Sequence, residues 1–174
     1  MLTKTFRNTL VASSLLMGSS LLVSLPALAQ VSDGDTVGGT VQAVNTIDFV
    51  PTATTQAITG GAAVTDFSMG TLSIQNNDPD GWTLNVQSAN AGKLMFNTNQ
   101  IAYTGLEIGA IAGATPAAVT LSTANTDEEI LNAVYDVDVA DGVTGVTVTA
   151  DIASGQFVPA GLYTDTLTFT LTSK

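Results

Sequence analysis

Apolar and polar residues alternate along short stretches of this chain, and Gly, Asn, Asp and Pro separate the stretches. Across residues 37–50, Val37, Gly39, Val41, Ala43, Ile47 and Phe49 fall on one parity, hence on one face of an extended strand that Pro51 closes. Met69, Leu72 and Ile74 lead into Gln75-Asn76-Asn77-Asp78-Pro79-Asp80-Gly81, a polar cluster that reads as a turn or loop. Beyond it Trp82, Leu84 and Val86 share one face and Thr83, Asn85 and Gln87 the other, the pattern of a half-buried strand. Weaker strand signals follow at 94–96, 101–103, 106–108 and 119–121. Thr126-Asp127-Glu128-Glu129-Ile130-Leu131 has the spacing of a capping box, with three acids in the first turn, and predicts a single short helix near 126–132. Tyr135, Val137 and Val139 then predict a strand, and Asp141-Gly142 a hairpin turn into Val146, Val148, Ala150 and Ile152. Tyr163, Leu167, Phe169 and Leu171 form the last strand.

About eight to ten short strands without βα alternation predict an all-β fold, an antiparallel β-sandwich with at most that one short helix. Thr164, Thr166, Thr168, Thr170 and Thr172 occupy the outward parity of the last strand, so one sheet face is rich in hydroxyls and nearly uncharged. Such a face serves solubility, or a lateral or glycan contact.

Residues 1–29 read as a Sec-type signal peptide. Lys4 and Arg7 form a basic start, an apolar stretch runs over residues 10–25, and Ala27-Leu28-Ala29 gives the spacing for cleavage before Gln30. Residues 30–174 would then be a single β-sandwich domain, exported to the cell surface, the extracellular space or the periplasm. The net charge of −11 falls to −13 on cleavage, because the signal carries two of the four basic residues and none of the fifteen acids. Lys93 and Lys174 alone stay positive, too few to neutralise nucleic acid phosphates or to make a polybasic membrane contact.

There is no His and no Cys, the two side chains that most often act as base, nucleophile or transition-metal ligand near neutral pH. A hydrolase would have to use paired carboxylates, or a Ser or Thr activated by Lys93 or an acid, and Glu107, Glu128 and Glu129 are the only glutamates. Gly38-Gly39 and Gly60-Gly61 lack the spacing of a phosphate loop. No catalytic residue and no cofactor are expected. Calcium is the one metal with a matching pattern: Asn76, Asp78 and Asp80 precede Gly81 at the spacing of a calcium loop, but Gln87 stands where its bidentate Glu belongs. Asp33-Gly34-Asp35 and Asp136, Asp138 and Asp141 are further oxygen clusters. Trp82, the only Trp, is expected in the core; the alternative is an exposed ring stacking on a sugar.

Two segments together resemble the WxL-domain family of bacterial cell-surface proteins. Gly81-Trp82-Thr83-Leu84-Asn85-Val86 is similar to its first signature, and the segment from Gly161 through Tyr163, Leu167, Phe169 and Leu171 to Thr172 is similar to the second, with Phe169 in place of the second Trp. The resemblance implies a surface β-sandwich held non-covalently to cell-wall polymer or peptidoglycan, with Trp82, Leu84, Phe169 and Leu171 as the motif residues for binding. The Gly161, Tyr163, Leu167, Phe169, Leu171 pattern also resembles the final strand of chaperone-usher pilins and spore-coat-U-like subunits. That resemblance implies self-assembly, with Val37, Val41, Ala43, Ile47 and Phe49 as a donated strand; the preferred reading of the same residues is the domain's own first strand. The expectation is a secreted, non-catalytic envelope protein with a wall-associated structural or attachment role. A fimbrial subunit assembling by donor-strand exchange is the alternative, and a carbohydrate-active or glycan-binding domain the third.

Overall fold

In a computed structural model, residues 38–52 and 56–174 are described. The signal segment, Asp33, Asp35 and Val37 lie outside the described residues. Residues 40–174 form one compact unit. Its strands are β1 (Asn45–Pro51), β2 (Val64–Asn76), β3 (Trp82–Ser88), β4 (Lys93–Phe96), β5 (Asn99–Ile108), β6 (Glu128–Ala133), β7 (Val143–Ile152) and β8 (Leu167–Ser173), with one helix, α1 (Val137–Asp141), between β6 and β7. They build a five-stranded sheet in the order β1-β2-β7-β5-β4 and a three-stranded sheet in the order β6-β3-β8, every pairing antiparallel. This is the expected all-β sandwich.

Alternation along the strands makes the core. Leu72 and Ile74 from β2, Ile101, Tyr103, Leu106 and Ile108 from β5, and Val146, Val148, Ala150 and Ile152 from β7 are buried from the five-stranded side. Trp82, Leu84 and Val86 from β3 and Ile130, Leu131 and Ala133 from β6 meet them from the other. The signals at 101–103 and 106–108 belong to one strand, β5. That at 119–121 yields only an isolated bridge between Val119 and Leu106, with Leu121 buried beside it.

Three expectations around residues 126–142 are corrected. Residues 128–133, which overlap the predicted helix, are β6, hydrogen-bonded along β3. Leu84 pairs with Leu131 and Asn85 with Glu129, so Ile130 is an extra residue in a bulge, and Ile130 and Leu131 both turn inward. The helix lies instead where Tyr135, Val137 and Val139 predicted a strand. Only Val139 of the three is buried, Asp136 caps the helix by accepting from the Asp138 amide at 2.9 Å, and Gln75 holds it to β2 through the Ala140 carbonyl at 2.9 Å. Asp141-Gly142 is the helix end and not a hairpin turn: Gly142, at φ 101°, donates back to the Asp138 and Val139 carbonyls. The first strand is also shorter than the alternation suggests, beginning at Asn45, with Val41 and Ala43 exposed ahead of it.

Gly81 sits at the turn that launches β3. Its φ is +94°, and a Cβ there would collide with the Ala133 carbonyl oxygen, so both conformation and space demand glycine.

Candidate functional site

The two motif segments are direct neighbours. β3 and β8 pair in register, Trp82 with Ser173, Leu84 with Leu171 and Val86 with Phe169. Trp82 and Leu84 are 0% exposed, as the core reading of Trp82 expects, so neither ring nor methyls can touch a wall polymer or a sugar. Trp82 Nε1 is buried without a hydrogen-bond acceptor. Phe169 and Leu171 are half-buried, and the Phe169 ring meets Phe49 of β1 with centroids 4.8 Å apart. The surface these segments offer is the opposite face. Thr83, Asn85 and Gln87 of β3 lie between Thr168, Thr170 and Thr172 of β8 on one side and Glu129 and Asn132 of β6 on the other, all hydroxyl or carboxamide apart from Glu129. Gln87 is held by the Asp127 carboxylate at 2.7 Å.

β8 is also an edge. The Ala89 amide donates to the Thr166 carbonyl at 2.9 Å and the Lys174 amide to the Gly81 carbonyl at 3.1 Å, so the even-numbered residues bond to β3. The backbone groups of Leu167, Phe169, Leu171 and Ser173 therefore point away from β3, where the Asn45 carboxamide donates to the Leu171 carbonyl at 3.3 Å. The other sheet edges carry features that discourage further pairing: β1 has Asp48 and ends on Pro51, β4 spans four residues with Lys93, and β6 has Glu128, Glu129 and the bulge. β8 has none; its sequence is LTFTLTS.

At the entrance to β8, Asp165 gathers four donors. One oxygen accepts from Ser88 Oγ and the Tyr103 hydroxyl, each at 2.6 Å, and the other from the Asn90 amide at 3.1 Å and the Thr166 amide at 2.7 Å. Ser88 Oγ in turn accepts from the Asn90 and Gly92 amides. Burial, and then the hydrogen bond to Asp165, push the Tyr103 hydroxyl well above its ordinary range. A carboxylate offers about four lone-pair positions, and these are filled, so Asp165 is an anchor rather than a base. The sequence reading passed over this cluster. Its one local sign is a lone acid within a Thr-alternating strand.

The remaining candidates are dispersed or already engaged. Asn76, 1% exposed, accepts from the Asp78 amide at 3.0 Å and donates to Asn45 Oδ1 and Ser173 Oγ; Asp78 accepts from the Asp80 amide at 3.0 Å. These are turn-closing bonds. Among the described residues, no group of three or more acidic side chains gathers to hold a metal. Glu107 is exposed on β5 of the five-stranded sheet, whereas Glu128 and Glu129 are on β6 of the other. Ile47 and Phe49 pack on the core from β1, whereas Val41 is 86% exposed. A groove of about 490 Å³, lined by Ile58, Phe67, Ile101, Val158 and Tyr163, offers no ionised group, and the Tyr163 hydroxyl is bonded to the Pro159 carbonyl at 2.8 Å. No described helix is long and apolar enough to cross a membrane.

No protein-family model matches the chain, and no curated protein matches it.

Proposed function

We propose that this protein is an exported, non-catalytic surface domain of the bacterial envelope, with a wall-associated structural or attachment role. It would work through the outer face and the β8 edge of the three-stranded sheet. The observation that carries this reading is β8: a seven-residue edge without charge, proline or bulge, its outward backbone groups beside a hydroxyl-rich face. Edges of that kind accept an added strand, with main-chain hydrogen bonds supplying affinity. The signal-like start and the strongly acidic, arginine-poor surface agree with an exported domain whose partner is neutral or is bound through backbone and hydroxyl contacts. Purified protein mixed with isolated envelope or peptidoglycan should sediment with it. Protein left wholly in the supernatant would count against a wall role.

One observation favours the fimbrial alternative as a second reading. Val41 and Ala43 belong to the alternating segment yet stand exposed outside β1; Asn77 accepts from the Val44 amide at 2.7 Å and donates to the Gln42 carbonyl at 2.7 Å, so that arm would add to another copy's edge by exchanging those bonds. Unboiled samples would then run as a ladder, whereas a domain complete in itself runs as a monomer.

A further inference from the structure

The bulge in β6 leaves Glu129 and Asn132 on the same solvent face, although they are three residues apart. On the far side of β3, the amide of Lys174 is fixed to the Gly81 carbonyl at 3.1 Å, at the end of β8. From there the lysine side chain crosses β3. Its Nζ donates to the Ala133 carbonyl at 2.7 Å and to Asn132 Oδ1 at 2.7 Å. The nitrogen of the same carboxamide, Asn132 Nδ2, donates to Glu129 Oε1 at 3.3 Å. An amine, a primary carboxamide and a carboxylate are thus in sequential contact, the amine on the carbonyl side and the acid on the side of the leaving nitrogen.

We propose that these three residues form an intramolecular cross-linking site, at which Lys174 displaces ammonia from Asn132 to give an amide bond between the two side chains. The Lys174 amine in its free-base form adds to Asn132 Cγ, forming the new C–N bond as the carbonyl electron pair moves onto oxygen. Collapse of that adduct breaks the Cγ–Nδ2 bond. Glu129 takes the proton released from Nζ and delivers it to Nδ2, which departs as ammonia, and the Glu129 carboxylate is regenerated. Nothing is oxidised or reduced, and no further reactant is needed.

Two hydrogen bonds, one to the Asn132 carboxamide oxygen and one to the Ala133 carbonyl, hold the amine beside the carboxamide whose carbon it must reach, and groups oriented at about 3–3.5 Å reach effective molarities of about 10⁵–10⁸ M. Thr83 of β3 and Thr172 of β8, the neighbouring outward residues, are uncharged; Glu129 is the carboxylate in contact with Asn132, and Asp127, the other acid at this face, is bonded to Gln87. Addition to the carboxamide carbon requires the lone pair of the amine, so the bond forms slowly near neutral pH and faster in alkali. Because departing ammonia is lost, slow formation still accumulates. The product would join β6 to β8 across β3, closing a ring between residues 42 apart in sequence. It stands independently of any wall-binding role.

Purified protein is held for several days at about pH 9 to favour base-assisted addition, digested at acidic residues and read by mass spectrometry. The expected product is a branched peptide joining positions 132 and 174, lighter by one ammonia than its two parts. It should be absent from Lys174→Arg, which keeps the cation, and from Asn132→Ala. It should form about a hundredfold more slowly, or slower still, in Glu129→Gln, as the loss of a general acid–base group requires. Circular dichroism of each variant reports that the sandwich is intact. The proposal is overturned if folded wild-type protein yields only unbranched peptides, if Asn132 is merely hydrolysed to Asp, or if the branch forms equally fast in urea.

Discussion

Removing the Tyr103 hydroxyl tests the anchor at the entrance to β8 at both neutral and alkaline pH. Tyr103 is 3% exposed and donates to Asp165 at 2.6 Å. A hydrogen bond to a charged acceptor contributes about 1.5–3 kcal/mol. In Tyr103→Phe, Asp165 keeps Ser88, Asn90 and Thr166 as donors. The carboxylate is therefore not abandoned, and the expected loss at neutral pH is about 2 kcal/mol. The pH dependence has a definite sign. The folded state holds the hydroxyl proton more tightly than the unfolded chain, whose tyrosine titrates near 10.0. This stabilising contribution is complete below about pH 10 and declines above it, by about 1.4 kcal/mol per pH unit. Phenylalanine has no such proton, so the stability gap between wild type and variant should narrow between about pH 10 and 11. Urea unfolding followed by the fluorescence of Trp82, the only tryptophan and fully buried, measures both quantities. A gap that stays constant from about pH 8 to 11 would refute the placement of this hydroxyl in a buried bond to Asp165.

Leu84→Ala, at the centre of β3 between Leu131 and Leu171, should cost about 3–4 kcal/mol in the same urea assay, as large-to-small changes in packed cores do; a loss under about 1 kcal/mol would mean that β3 is not the centre of its sheet. Excess calcium or a chelator should leave the melting temperature unmoved, because Asn76 and Asp78 already spend side-chain oxygens on the turn. A rise with calcium would show that those bonds yield to the ion.

The strands that were legible in the sequence are those whose alternation is uninterrupted. Trp82, Leu84 and Val86, and Val146, Val148, Ala150 and Ile152, step inward every second residue, and the structure buries each of them. β6 was illegible because its bulge places Ile130 and Leu131 side by side in the core, imitating the spacing of a helix, while the Thr126 capping signal is local and weak against pairing along β3. The helix after it was hidden for the converse reason: Val137 and Val139 alternate like a strand, and only the Asp136 cap and Gly142 mark the turn. The same limit applies to the sites. Motif residues were readable as motif, but their burial depends on β3 lying between two partners. The Asp165 cluster joins residues 62 to 77 apart in sequence, and the Lys174 contact residues 42 apart, separations that no local pattern encodes.

The role assigned to the edge and outer face of β8 is tested most directly by co-sedimentation of purified protein with isolated envelope, comparing wild type with variants charged at two exposed positions of that strand. Thr168 and Thr170 point to solvent, so Thr168→Glu/Thr170→Glu and Thr168→Lys/Thr170→Lys keep the fold while discouraging strand addition. Wild-type protein should pellet with the envelope, and both charged pairs should remain in solution. Pelleting of the lysine pair at or above the wild-type level, or no pelleting of the wild type, would contradict attachment through this edge.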